Sequence, residues 1–316
     1  MLAARAGRIA VSPTMKVAAD AMRLKAQGID VLDFGAGEPD FPTAQPMLDA
    51  AIKSLQSGRF PYTPSLGIPE LRSAISTFYW DRYQVNIAPE RIAVTAGASA
   101  ALLLTMGVLI SPGDEVLLTD PGYPCNHQFI RAMGGKPVGV PVDSDSNYQL
   151  DAALIEQHWA AQTTAALVAS PANPTGTMIH ADQMAKLIEA VHGRGGRLIV
   201  DEIYLALNYS GAAKTALALS DDVFIINSFS KYFQMDRRAE RVRQGDRAAI
   251  AKPVHFEFGN RATCGVGGLR TENITNFGKP PQRIPSATRL SHSGVKGFRL
   301  RRAGHPQPAD QLPRPG

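Results

Sequence analysis

Cysteine is nearly absent: Cys125 and Cys264 are the only two in 316 residues. That is too few for a disulfide framework and fits a reducing compartment. Aromatic residues make up only 7% and charged residues 19%, against 44% apolar, which excludes a coiled coil, a collagen-like chain and a wholly disordered protein. Acidic side chains are missing from the first 19 residues, a weak sign of an organelle transit sequence. Arg5 and Arg8 are followed by no continuous apolar stretch, so a secretory signal is not expected and an N-terminal arm is the better reading. Residues 92–113 lack any charged side chain and are long enough to suggest a membrane helix. Gly97 and Ser111-Pro112-Gly113 interrupt that run, however, and a short strand, a tight turn and an Ala/Leu-rich helix explain it better. The length suggests about two domains at roughly 150 residues each, ample for a large core.

The net charge of +5 conceals two unlike parts. Residues 1–235 hold 17 Lys and Arg against 22 Asp and Glu, whereas residues 236–316 hold 16, of which 13 are Arg, against 6. The same C-terminal stretch carries 8 of the 23 prolines and 10 of the 28 glycines, with no Tyr and no Trp. Apart from a segment able to form a basic helix at 236–251, it shows no sustained periodicity and reads as a loop-rich or disordered basic tail. The overall basicity is therefore not evidence that the main domain binds nucleic acid.

The first 235 residues have a regular texture. Helices are expected at 14–28, 44–57 and 68–83, the last with Pro69 near its start, where proline is tolerated. A short strand-like run at 31–34 leads into a turn-rich segment from Gly35 to Asp40. From there strands are expected at 91–95, 115–119, 137–142, 164–169, 198–200 and 222–227, with helices at 99–109, 124–133, 149–160 and 181–193. This alternation predicts an α/β fold with a mostly parallel, buried sheet and helices on both faces.

Ligands of such sheets bind beyond the carboxyl ends of the strands. The residues that follow five of the expected strands are Gly97-Ala98-Ser99, Tyr123, Asn173, Asp201 with Tyr204, and Ser228 with Ser230 and Lys231. They bring a helix N-terminus, an aromatic ring, an amide, a carboxylate with a phenol, and an amine to one edge. That set suits an anionic, aromatic, aldehyde-bearing cofactor, pyridoxal 5'-phosphate. Lys231 can form a Schiff base with the aldehyde. Asp201 can keep the ring nitrogen protonated, Tyr204 and Asn173 can hydrogen-bond the phenolate oxygen, and Tyr123 can stack on the ring. The N–H groups of Gly97, Ala98 and Ser99, with the hydroxyls of Ser228 and Ser230, can hold the phosphate. Taken singly, each residue has an ordinary alternative: a solvated lysine, an Asp helix cap, an Asn turn, a core tyrosine. Taken together, at successive strand ends, they favour the cofactor. No metal ligand set is assigned.

The same segments resemble class I/II aminotransferases of fold type I, close to the aspartate aminotransferase-like branch. The resemblance runs in unbroken order over about residues 8–235. It includes Asp33-Phe34-Gly35-Ala36-Gly37-Glu38-Pro39-Asp40-Phe41, Tyr62-Thr63 with Gly67 and Leu71-Arg72, Thr95-Ala96-Gly97-Ala98 and Asp120-Pro121-Gly122-Tyr123-Pro124. It continues through Ser170-Pro171-Ala172-Asn173-Pro174-Thr175-Gly176, Asp201-Glu202-Ile203-Tyr204 and Ser228-Phe229-Ser230-Lys231. The resemblance implies that Gly35 and Asn173 lie near the substrate. It also implies that Tyr62 reaches the cofactor phosphate of a neighbouring subunit in a homodimer. The implied chemistry is ping-pong transfer of an amino group between an amino acid and a 2-oxo acid, with Lys231 as the mobile base.

Beyond Lys231 the pattern departs. The family continues into a glycine and, eight positions after the lysine, a phosphate-binding arginine; here those positions are Arg237 and Ala239. No counterpart of the family's substrate-carboxylate arginine is identified, Arg289 included. The expected division is an arm and part of a small domain at 1–40, a large cofactor-binding domain at 41–235, and an atypical tail at 236–316 whose abrupt onset suggests a disrupted reading frame. Other fold type I activities, such as a C–S lyase or a decarboxylase, share the Lys, Asp and Tyr set. A third reading is a non-catalytic homologue whose Arg237, Arg238, Arg241, Arg243 and Arg247 form a stripe for acidic partners, but no aromatic residue is interleaved to stack on bases. The expectation is a cytoplasmic protein without membrane or nucleic-acid partners.

Overall fold

Short runs of Val, Ile and Leu, too brief for helices and apolar on both faces, build the centre of the molecule. The structure is a computed structural model that describes residues 6, 7, 9, 10 and 13–235 apart from 36, 38, 40, 60, 210 and 212. These belong to the first of two units into which the chain divides. The expectations placed on residues 236–316 (the basic helix, the loop-rich tail, the arginine stripe and the frame disruption) lie outside the described residues.

Five parallel strands pair in the order β2-β1-β3-β4-β5: β1 (Glu115–Asp120), β2 (Lys136–Pro141), β3 (Thr163–Ala169), β4 (Arg197–Asp201) and β5 (Val223–Ile226). The helices are α1 (Pro13–Ala26), α2 (Gln45–Gln56), α3 (Pro69–Tyr83), α4 (Ala98–Leu109), α5 (Cys125–Ala132), α6 (Ala152–His158) and α7 (Ala181–Gly193). The alternation of side chains along a strand divides the core. Leu117, Leu198 and Val200 face one layer with Ile155, Leu187 and Val191 of α6 and α7. Val116, Leu118 and Ile199 face the other, with Leu102 and Met106 of α4 and Ile130 of α5. Each such side chain, at 0–2% exposure, contributes about 1.5–3 kcal/mol by leaving water. Asp151 caps α6 by accepting the Leu154 N–H at 2.8 Å, and prolines sit in the first turns of α2 and α3.

Two expected strands are not sheet strands. Among the described residues, 92–95 join no ladder; Val94 donates to the Leu66 carbonyl at 3.0 Å instead. They line the same cavity as β5 rather than hydrogen-bonding to it. Residues 31–34 also stay outside the sheet, with Leu32 and Phe34 80% and 93% exposed. Among the described residues no strand pairs with them. Among the described residues no helix is long and apolar enough to cross a membrane, and residues 98–109 of the uncharged run form α4 in the second core layer.

Candidate active site

The chain passes outward from β1 to β2 and then returns across β1 to β3, so the order in which the parallel strands are laid down reverses between β1 and β3. The crevice at such a reversal, beyond the carboxyl ends of the strands, is where open α/β sheets take ligands. A cavity of about 1530 Å³ opens there and extends along β5. Of the residues singled out in the sequence, all but Tyr62 line it: Gly35 from the N-terminal segment, Gly97, Ala98 and Ser99 at α4, Tyr123 after β1, Asn173 after β3, Asp201 and Tyr204 at β4, and Ser228, Ser230 and Lys231 after β5. Tyr62 stands away from the surface, 99% exposed.

Asp201 is the last residue of β4, and the pairing of β4 with both neighbours fixes its place. Its Oδ1 accepts the Ile203 N–H at 3.1 Å. Burial pushes its carboxyl up to about 6, which the Ile203 bond only partly offsets. Among the described residues, no cation figures in the groups that act on it. A buried carboxylate facing a cavity with one backbone donor and no cation fits a ligand that brings positive charge. Glu202, one position on, points elsewhere: Thr215 Oγ1 and the Ala216 N–H each donate to it at 2.7 Å, and burial pushes it up to about 7.

Lys231 follows β5 by way of a short turn. Its Nζ donates to the Gly37 carbonyl at 2.9 Å and stands 5.7 Å from the centre of the Tyr204 ring. Burial and the Asp201 charge raise the Tyr204 phenol, while a hydrogen bond with Asn173 lowers it. Burial also raises Tyr123, with contributions from Cys125, Tyr204 and Asp201. The loop carrying Asn173 is held from behind by Gln149, whose Nε2 donates to the Ala169 and Thr177 carbonyls at 3.1 Å each. Ser170 Oγ accepts the Ile179 N–H at 3.0 Å. Gln149 carried no motif in the sequence; only its exposure of 4% reveals it.

The anion-binding corner differs in one respect from the sequence reading. Gly97 is the N-cap of α4, at φ +80°, and its N–H is already given to the Thr95 carbonyl at 2.7 Å. The Ala98 and Ser99 N–H groups are the ones that open α4 toward the cavity, and no acid stands in the first turn to compete for them. Ser228 Oγ and Ser230 Oγ lie 2.8 Å apart on the same cavity. Two N–H donors at a helix N-terminus with two hydroxyls form a donor set suited to a phosphate.

Residues 29–239 match the family described as aminotransferase class I and II. A probable aspartate/prephenate aminotransferase of Aquifex aeolicus is 38% identical over 239 residues, covering 74% of this chain and 61% of that protein. An aspartate aminotransferase of Bacillus sp. strain YM-2 is 35% identical over 240 residues, with the same coverage. The chain thus spans about three fifths of the length of the curated relatives it matches. Among solved structures, the aspartate aminotransferase of Thermus thermophilus with maleate superposes at a TM-score of 0.77 and 26% identity, over 87% of this chain and 74% of that one. An aminotransferase from Mycobacterium tuberculosis superposes at 0.76 and 29% identity, over 88% and 73%. With the matched family spanning residues 29–239, the chain belongs to the class I and II aminotransferases.

Proposed function

We propose that this chain carries the cofactor half of a pyridoxal 5'-phosphate-dependent aminotransferase site, moving an amino group between an amino acid and a 2-oxo acid. One observation carries the reading: the Lys231 amine, the cation-free buried carboxyl of Asp201 and the N-terminus of α4 line a single cavity. Pyridoxal phosphate fits these donors, and when bound it supplies an aldehyde that bonds to amines and a cationic ring that draws electron density from a substrate's α-carbon.

The residues then divide the work. Asp201, ionised, would hold the cofactor's ring nitrogen protonated. Tyr204, steadied by Asn173, would donate its phenol to the ring's oxygen substituent, and Tyr123 would supply an aromatic surface for the ring. Ala98, Ser99, Ser228 and Ser230 would hold the phosphate. Lys231 Nζ would hold the cofactor through its aldehyde carbon and, as a free amine, would be the base that carries the substrate's α-carbon proton to that carbon, a role worth about 10²–10⁴-fold in rate for a positioned base. Gly35 and Asn173 border the place where the substrate enters.

The wider reading is a cytoplasmic homodimer in which residues 1–40 form an arm and part of a small domain, and residues 41–235 form the large domain. Tyr62 belongs to the partner's phosphate site. Its exposure in the single chain supports that last point. Adding pyridoxal phosphate to the full-length protein is expected to give a yellow adduct that bleaches with borohydride and leaves the cofactor's mass on the peptide containing Lys231. Lys231→Ala should abolish it. A wild-type protein without a reducible adduct would refute the reading. Release of ammonia from an amino acid without a 2-oxo acid acceptor would instead indicate a lyase.

A further inference from the structure

The turn after β5 belongs to no helix or strand, yet it must present Ser228, Ser230 and Lys231 to the cavity. Its own bonds are few. Ser228 Oγ accepts the Ser230 N–H at 3.1 Å, and the Ser228 N–H donates to Asn227 Oδ1 at 2.8 Å. The other end of the Asn227 amide leaves the turn: Nδ2 donates to Tyr79 Oη on α3 at 3.1 Å. Tyr79 is 5% exposed, and burial raises its phenol so that it stays neutral. The start of this relay is rigid. Tyr79 packs edge-on to Phe78 at 5.9 Å between ring centres, and Phe78 packs against Phe233 at 5.4 Å. Phe233 in turn meets Phe229 at 5.3 Å, so the same ring cluster grips the turn on both sides of Lys231.

We infer that Tyr79 and Asn227 are positioning residues for the phosphate-holding serines, acting through Ser228. The inference rests on the cofactor reading above. With the Ser230 N–H on one lone pair of Ser228 Oγ and the Ser228 N–H tied to Asn227, the hydroxyl pair has a fixed place. Tyr79 fixes which way the Asn227 amide faces, and so which atom Ser228 meets. Asn227 and Tyr79 carry no charge and match no motif. Their effect should fall on the phosphate of the ligand and not on its aldehyde.

The test is a titration of the full-length protein with pyridoxal 5'-phosphate and, separately, with pyridoxal, which has the aldehyde and ring but no phosphate. Tyr79→Phe keeps the ring in its cluster and removes only the oxygen. Asn227→Ala removes the next link. Each is expected to weaken the phosphorylated ligand about tenfold, the size of one net hydrogen bond, while pyridoxal changes less than twofold. Tyr83→Phe, another buried phenol of α3, should leave both unchanged. Equal losses for both ligands in Tyr79→Phe would reduce the relay to general packing and overturn the inference, as would no loss in either variant. A wild-type protein that binds neither aldehyde would overturn the cofactor reading and this inference with it. Wild-type binding with unaltered selectivity in the variants would overturn the inference alone.

Discussion

At the scale of single residues, the site depends on a carboxyl group placed where ionisation is unfavourable until a ligand arrives. Burial raises Asp201 from 3.8 to about 6. Between those values the folded protein holds a proton that the unfolded chain has already lost, so folding stability falls as pH rises from about 4 to about 6 and stays lowered above it. The shift corresponds to about 3 kcal/mol. Asp201→Asn removes that cost without changing the shape of the side chain. The variant's thermal midpoint in cofactor-free protein should therefore match wild type near pH 4 and exceed it by about 5–10 °C at pH 7.5. Pyridoxal phosphate should reverse the order at pH 7.5, because only the ionised aspartate gains a cationic partner. Melts at both pH values, with and without cofactor, test this; a wild type more stable than Asp201→Asn in the absence of cofactor at pH 7.5 would contradict it. Asp201 was legible in the sequence because it ends an apolar strand, and Lys231 because it follows one. Tyr79, Asn227 and Gln149 were not, because their bonds join segments from 20 to 148 positions apart. Nothing in local spacing announces such bonds.

At the scale of elements, the alternation of apolar runs predicted every strand that joined the sheet and most helix boundaries to within a few residues. It failed where a run lacked a partner. Residues 92–95 have a strand's composition, but among the described residues their neighbour across the cavity, β5, pairs with β4 alone. Periodicity reports which side chains prefer burial; pairing depends on what lies alongside. The N-terminus of α4 was legible through Gly97, yet only the fold reveals that the Gly97 N–H is given to Thr95, which leaves those of Ala98 and Ser99 to face the cavity. This element allows stability and binding to be moved in opposite directions. Ser99→Asp places a carboxylate in the first turn of α4, where the helix dipole favours it by about 0.3–1 kcal/mol. The same charge repels a phosphate at the same N–H groups, a repulsion of about 4 kcal/mol at 4 Å near a protein surface. The variant should melt at or slightly above the wild-type temperature while losing at least about tenfold in affinity for pyridoxal phosphate and far less for pyridoxal. A parallel loss for both ligands would mean that the phosphate does not sit at this helix.

At the scale of the whole molecule, the cavity of a single chain lacks one of the side chains assigned to it. Tyr62 is 99% exposed and lines no part of its own chain's cavity, while Phe34 and Leu32 beside the Gly35 segment are 93% and 80% exposed. If Tyr62 serves the phosphate of a second copy, each site is built from two chains, and damage to the two contributions can be separated. Lys231→Ala removes the covalent anchor from its own site and leaves its Tyr62 intact; Tyr62→Phe does the reverse. A mixed dimer then contains one site with neither defect and one with both. Pure Lys231→Ala should give no borohydride-stable adduct, and pure Tyr62→Phe should give one only at raised cofactor concentration, by about the tenfold to hundredfold that one hydrogen bond to a charged group is worth. When the two differently tagged variants are unfolded together and reassembled, a population of adducts with wild-type affinity should appear, up to one per mixed dimer. Titration of the doubly purified species measures it. Binding equal to the sum of the two pure variants would place Tyr62 outside the site and leave each cavity to the chain that forms it.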